Sequence, residues 1–179
     1  MSRYAKFAQK EHSLNKRLVA LLPAGVLFVF LLPYVIIVVG PNMDQRLGLE
    51  GFYAGAVNWI LGGLMMLVGF FFAMWSIYAQ LTRGRGTPLP VMPTQELLTG
   101  GPFRYCRNPM TLGTILAYSG LAIVVGTVAG FTLVLLLGGL LLFYLKLFEE
   151  EELAERFGEP YLQYKREVPF IIPRRPKRQ

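Results

Sequence analysis

The apolar residues of this chain fall into four runs without a single charge, at residues 18–40, 52–79, 110–126 and 128–145. A helix needs roughly 20 apolar residues to cross a bilayer core. The first two runs exceed that length, and the last two come close to it. Lipid offers no partner to an exposed backbone N–H, so such runs must close their hydrogen bonds internally as helices. No stretch alternates apolar and polar residues as a membrane barrel requires. The pattern predicts an all-α polytopic membrane protein with four transmembrane helices. Only Gly126 and Thr127 separate the third run from the fourth, which predicts a tight antiparallel hairpin. At about 1.5 Å per residue, residues 109–126 span roughly 27 Å, a short crossing. Pro23 and Pro33 lie inside the first run and predict a kink or local distortion there. That run is longer than an apolar signal core and no small-x-small cleavage site follows it, so it reads as a retained helix. The pairs Gly51/Gly55 and Gly126/Gly130 read as small-residue helix packing.

Charge sets the orientation. Seventeen of the 18 Lys and Arg residues fall on one side of a four-helix topology, with Arg46 the exception. The positive-inside rule makes that side cytoplasmic and places both termini there. The net charge of +7 is accounted for by basic loops beside anionic lipid headgroups, and nothing in the chain points to nucleic acid. The tail carrying Arg174, Arg175, Lys177 and Arg178 reads as a headgroup anchor. Cys106 is the only cysteine and His12 the only histidine. No internal disulfide, metal cluster or histidine-based triad can be assembled from them.

Two segments on the predicted cytoplasmic side are unlike ordinary connections. Residues 82–109 are dense in Gly and Pro and longer than a helix connection needs, the mark of a binding loop. Gly84 and Gly86 resemble the start of a glycine-rich fingerprint, but no strand precedes them. Asn108 reads as an N-cap and Pro109 as the first residue of helix three. In residues 146–173, helix four continues past the apolar run. Glu149, Glu150, Glu151 and Glu152 put four like charges on one turn, which destabilises a helix; the block reads either as a solvated helix end that repels anionic lipid or as part of a ligand site. A zwitterionic ligand suits such a cluster beside arginines. Gly158 reads as a C-cap and Pro160 as a stop. Tyr161 and Tyr164 read as interfacial aromatics, and whether they or Arg174 contact a ligand is left open by the sequence.

Taken together, Arg107-Asn108-Pro109 and the pattern Glu-Glu-x-x-Leu-x-x-x-Phe-Gly-x-x-Tyr-x-x-Tyr over residues 149–164, followed by Val168-Pro169 and Ile172-Pro173, resemble the integral-membrane methyltransferases. That family includes isoprenylcysteine carboxyl methyltransferase and the phospholipid N-methyltransferases. The resemblance covers roughly residues 80–175. It implies an N-terminal part, 1–79, carrying two helices, and a methyltransferase core, 80–179. It implies S-adenosyl-L-methionine, bound on the cytoplasmic side at the helix three–four hairpin, and a lipophilic or lipid acceptor arriving from the bilayer. The family's Leu-Val-x-x-Gly-x-Tyr stretch matches Leu97, Leu98, Gly101 and Phe103, with Gln95 and Glu96 just before it. Its Arg-His-Pro-x-Tyr matches Arg107, Asn108, Pro109 and Thr111, with Met110 between, and its first acid matches Glu149, with Glu150 beside it. All of these are implied cofactor contacts, and Glu149 and Asn108 are the implied catalytic pair. Asn108 stands where a His is commoner, and Phe103 and Thr111 each replace a Tyr. Carboxyl methyltransferases carry an Arg at the position of Leu145, which leaves Lys146 as the nearest cation for a substrate. Glu152 and Glu155 are expected to tolerate Ala. A non-catalytic membrane scaffold of the same fold and a sterol-reductase-like NADPH enzyme stay open as alternatives. The acceptor and the oligomeric state are left open by the sequence.

Overall fold

The computed structural model describes residues 13–52, 55–87 and 93–175. The basic residues Arg3, Lys6, Lys10, Lys177 and Arg178, together with His12, lie outside the described residues. Every regular element among the described residues is helical. Four helices carry the apolar runs: α1, Asn15–Leu47; α2, Ala56–Thr82; α3, Pro109–Val125; and α4, Val128–Phe157. α1, α2 and α4 are long and apolar enough to cross a membrane, and α3 is a shorter apolar helix. A fifth helix, α5, Glu159–Glu167, is polar. The long helices turn large apolar side chains outward: Phe30 is 68% exposed, Leu67 70% and Leu140 66%. Lipid is the solvent that suits such a surface, and the chain is a membrane protein.

α1 is locally distorted near both prolines without ending: Leu21, two residues before Pro23, drops out of the regular helix. The helix continues with two widened segments, Leu27–Leu31 and Val35–Val39, where the bonding is i→i+5. Widening of this kind absorbs a helix defect without ending the helix. Pro33 has no N–H to donate, and the Phe28 carbonyl, five residues earlier, accepts instead from the Tyr118 hydroxyl.

The contacts divide the chain into two compact units. One comprises Ala24–Ala73 and Thr111–Phe143. Its packing rests on glycine. A Cβ on Gly69 would meet the backbone nitrogen of Ala117 at 2.4 Å and the Gly113 oxygen at 2.5 Å, and one on Gly62 would meet the Gly120 oxygen at 2.6 Å. α2 and α3 therefore touch backbone to backbone, antiparallel, along two facing glycine pairs. Small residues permit this approach where no hydrophobic effect drives helices together. Of the pairs singled out in the sequence, Gly130 does pack closely: a Cβ on Gly40 of α1 would lie 3.3 Å from the Gly130 Cα. Gly55 (φ +56) precedes α2 with nothing packed on it, and Gly126 (φ +79) makes the turn between α3 and α4. Asn58 donates to the Ile123 carbonyl at 3.0 Å and so gives α2 a polar tie to α3.

The first turn of α4 is capped twice. The Thr127 hydroxyl accepts from Gly130 N–H at 3.1 Å, and buried Asp44, from the end of α1, accepts from the N–H groups of Val128 (3.1 Å) and Ala129 (2.7 Å). A carboxylate here satisfies orphan donors and complements the helix dipole. Asp44→Ala should lower stability by about 1–2 kcal/mol, the upper range for losing a cap. Thermal unfolding in detergent would show it, and an unchanged transition would remove Asp44 from this role.

Candidate functional site

The second unit comprises Met1–Pro23, Met74–Met110 and Tyr144–Gln179. A cavity here is walled by the loop after α2, the residues leading into α3, the C-terminal half of α4, and α5. Its shape follows from how the loop folds back. The Gln95 N–H donates to the Gly84 carbonyl at 2.6 Å. The returning Thr94 backbone passes so close to Gly86 that a Cβ there would lie 2.5 Å from it. Those glycines are spacing devices rather than a nucleotide fingerprint. Arg156 of α4 fixes the loop from the other side, donating to the Thr94 carbonyl at 2.6 Å while pairing with Glu152 at 3.3 Å. Gly101, at φ +60, opens a short 3-10 turn, Gly101–Arg104, against the ring of Trp75.

The polar centre is a buried Arg107–Glu150 pair flanked by two part-exposed lysines. Arg107 donates to Glu150 Oε1 through Nε at 3.1 Å and through Nη2. Its Nη1 donates to the carbonyls of Lys165 (2.8 Å) and Val168 (2.6 Å). Glu150 Oε2 lies 3.1 Å from Lys146 Nζ and 2.9 Å from Lys165 Nζ. These two contacts are ion pairs by distance without the alignment of hydrogen bonds. The Phe170 ring sits beneath both Arg107 and Lys146, 5.7 and 5.0 Å from their charges. Residues after α5 run beside the entry to α3: Arg107 N–H donates to Pro169 O (2.9 Å), both Asn108 N–H and its Nδ2 donate to Phe170 O (3.2 and 3.1 Å), and Arg174 N–H donates to Tyr105 O (2.9 Å).

Glu149 differs from its neighbour. It is half-buried, lines the cavity, and makes no hydrogen bond or ion pair within 4 Å among the described residues. The backbone explains the contrast. Leu145–Glu149 bonds i→i+5, a local widening that resets the facing of the residues after it and is frequent at functional sites. Glu150 then faces the cation cluster.

The sequence-derived residues separate into groups. Leu97, Leu98, Phe103, Arg107, Asn108, Glu149 and Glu150 share the cavity wall. Gln95 supports the loop, its Nε2 donating to Pro93 O at 3.0 Å, and Glu96 faces solvent opposite Arg85 at 3.6 Å. Pro109 and Met110 begin α3, Met110 beside Gln80. Thr111 falls in the other unit. Lys146 is engaged by Glu150, and the Asn108 amide by Phe170.

Two expectations need correcting. Tyr161 and Tyr164 are buried cavity walls rather than interfacial aromatics. Burial raises both phenols above their usual range, and Tyr164 donates to the Phe103 carbonyl at 2.7 Å. Pro160 does not stop the chain's helix: Gly158 (φ +59) ends α4, and Pro160 lies in the first turn of α5. Glu152, expected to tolerate Ala, lines the cavity and pairs with Arg156. The sequence also missed Thr94, Tyr144, Arg156 and Phe157. For the two tyrosines the signal was their one-turn spacing beside a positive-φ glycine. Cys106 is fully buried, and burial pushes its thiol up to about 11. It is protonated at neutral pH and no nucleophile.

The family of phospholipid methyltransferases (PEMT) matches residues 57–160, more than half of the chain. No curated protein matches, and no solved structure matches.

Proposed function

The chain belongs to the phospholipid methyltransferase family, and from that premise we propose that it transfers a methyl group from S-adenosyl-L-methionine to a lipophilic or membrane-embedded acceptor. The observation that carries this reading is Glu149. It is an acid without a bonded partner among the described residues, set in a wall that combines apolar and aromatic residues (Leu97, Leu98, Phe103, Leu153 and Phe157) with the paired charges of Arg107, Glu150, Glu152 and Arg156. The cofactor is a cation with a flat aromatic base. A lone carboxylate suits its ammonium or its ribose hydroxyls, and the apolar and aromatic wall suits the base.

Bound there, the cofactor supplies an electrophilic methyl group on a sulfonium. The chain's own residues have two tasks, to position and to exclude water. Arg107 and Glu150 neutralise each other and hold the entry to α3 against α4. The Asn108 amide, bonded to Phe170, orients that entry rather than moving a proton. Tyr161 and Tyr164 close the wall. We place the cavity on the cytoplasmic side, with both termini, because the basic residues concentrate in the segments that build it.

The test is titration calorimetry of the detergent-purified protein with S-adenosylmethionine and with S-adenosylhomocysteine. Saturable one-site binding of both is expected. Absence of binding at millimolar ligand, in protein shown to be folded, would overturn the proposal in favour of a scaffold without chemistry.

A further inference from the structure

A second cavity of about 420 Å³ lies in the same unit, lined by Arg104, Arg174, Arg175 and Glu167 among others, and it shares Leu97 and Tyr164 with the first. Its volume falls in the range of small-molecule sites, roughly 300–1,000 Å³. The charge in it is unbalanced. The three guanidinium groups make no side-chain hydrogen bond or ion pair among the described residues, while the Glu167 carboxylate accepts from Gln163 at 3.1 Å. Two of the three backbones are held in place. Arg104 ends the 3-10 turn, and Arg174 N–H is bonded to Tyr105 O at 2.9 Å. All three residues are exposed, and guanidinium groups presented this way at a cavity suit an anion.

We propose that this cavity is a phosphate site, taking a phosphate ester or free phosphate on Arg104, Arg174 and Arg175. A guanidinium presents its donors in a planar fork that matches phosphate oxygens, and three forks suit a tetrahedral group with several acceptor oxygens better than a planar carboxylate. The site stands on charge and geometry alone and does not depend on the methyl-transfer reading.

The experiment measures binding of three probes to the detergent-purified full chain: dihexanoylphosphatidic acid, inorganic phosphate, and dihexanoylglycerol, which lacks the phosphate. Wild type should bind at least one phosphate probe, more weakly as salt is raised, and should not bind dihexanoylglycerol. Arg104→Gln/Arg174→Gln/Arg175→Gln should weaken that binding by about tenfold or more, because charge-assisted hydrogen bonds are the strong ones. The corresponding triple Lys variant, which keeps charge but loses the forks, should fall between. Thermal unfolding should stay at the wild-type value in both variants, since these side chains tie nothing together. Tighter binding of the lipid probe assigns the site to a headgroup, and tighter binding of inorganic phosphate assigns it to a soluble anion. Equal binding by wild type and the Gln variant, binding of dihexanoylglycerol as strong as of the phosphatidic acid, or binding of neither phosphate probe would overturn the proposal.

Discussion

Glu149→Ala is expected to weaken S-adenosylmethionine binding by roughly 10- to 100-fold, the loss of one hydrogen bond to a charged group, while the protein unfolds at the wild-type temperature. Both halves of the expectation follow from one fact. The carboxylate lines the cavity but holds nothing in the fold, so removing it costs the ligand and not the structure. Titration and thermal unfolding on the same preparation check it. Glu149→Gln refines the reading. If the acid holds ribose hydroxyls, the amide should retain most of the affinity; if it holds the ammonium, Gln should behave like Ala. Homocysteine-product binding adds a second discrimination, because that molecule keeps the ammonium and lacks the sulfonium. Normal binding in the Ala variant would show that the site is assigned to the wrong acid.

The adjacent substitution should do the opposite. Glu150→Ala leaves the Arg107 guanidinium, itself only 8% exposed, without its counter-charge and leaves Lys146 and Lys165 facing it. Breaking a buried pair by removing one partner costs about 3–5 kcal/mol. A large drop in unfolding temperature is expected, with binding lost because the wall is lost. Replacing both partners, Arg107→Met with Glu150→Leu, should recover part of the stability, because no buried charge is then left unpaired. If Glu150→Ala unfolds like wild type, the cluster is not what holds the entry of α3 against α4.

This contrast also marks where sequence reading stops. The apolar runs could be read because lipid leaves the backbone only one choice. The start of α3 at Asn108-Pro109 and the continuation of α4 past its apolar run could be read from local chemistry. The facing of Glu149 and Glu150 could not. Neighbours on a helix point about 100° apart, and which one meets Arg107 depends on the widened segment Leu145–Glu149, which nothing local announces. The glycine pairs of α2 and α3 were hidden for a related reason. In an apolar run Gly62, Gly69, Gly113 and Gly120 look like any other small residue, and only the partner helix gives them meaning. Tyr161 and Tyr164 carried a visible spacing, but their burial is set by the turn at Gly158, and spacing alone does not reveal the wall they close.

The ties of Arg107 reach far along the chain. Its carbonyl partners at Lys165 and Val168 lie 58 and 61 residues after it, and Glu150 lies 43 residues after it. A ribosome adding about 5–20 residues per second makes this arginine seconds before any of them exists. During that interval the guanidinium has none of these partners. Assembly of the cavity is therefore a late event of biogenesis, and a chain arrested before Val168 can insert its apolar helices yet lack a finished pocket.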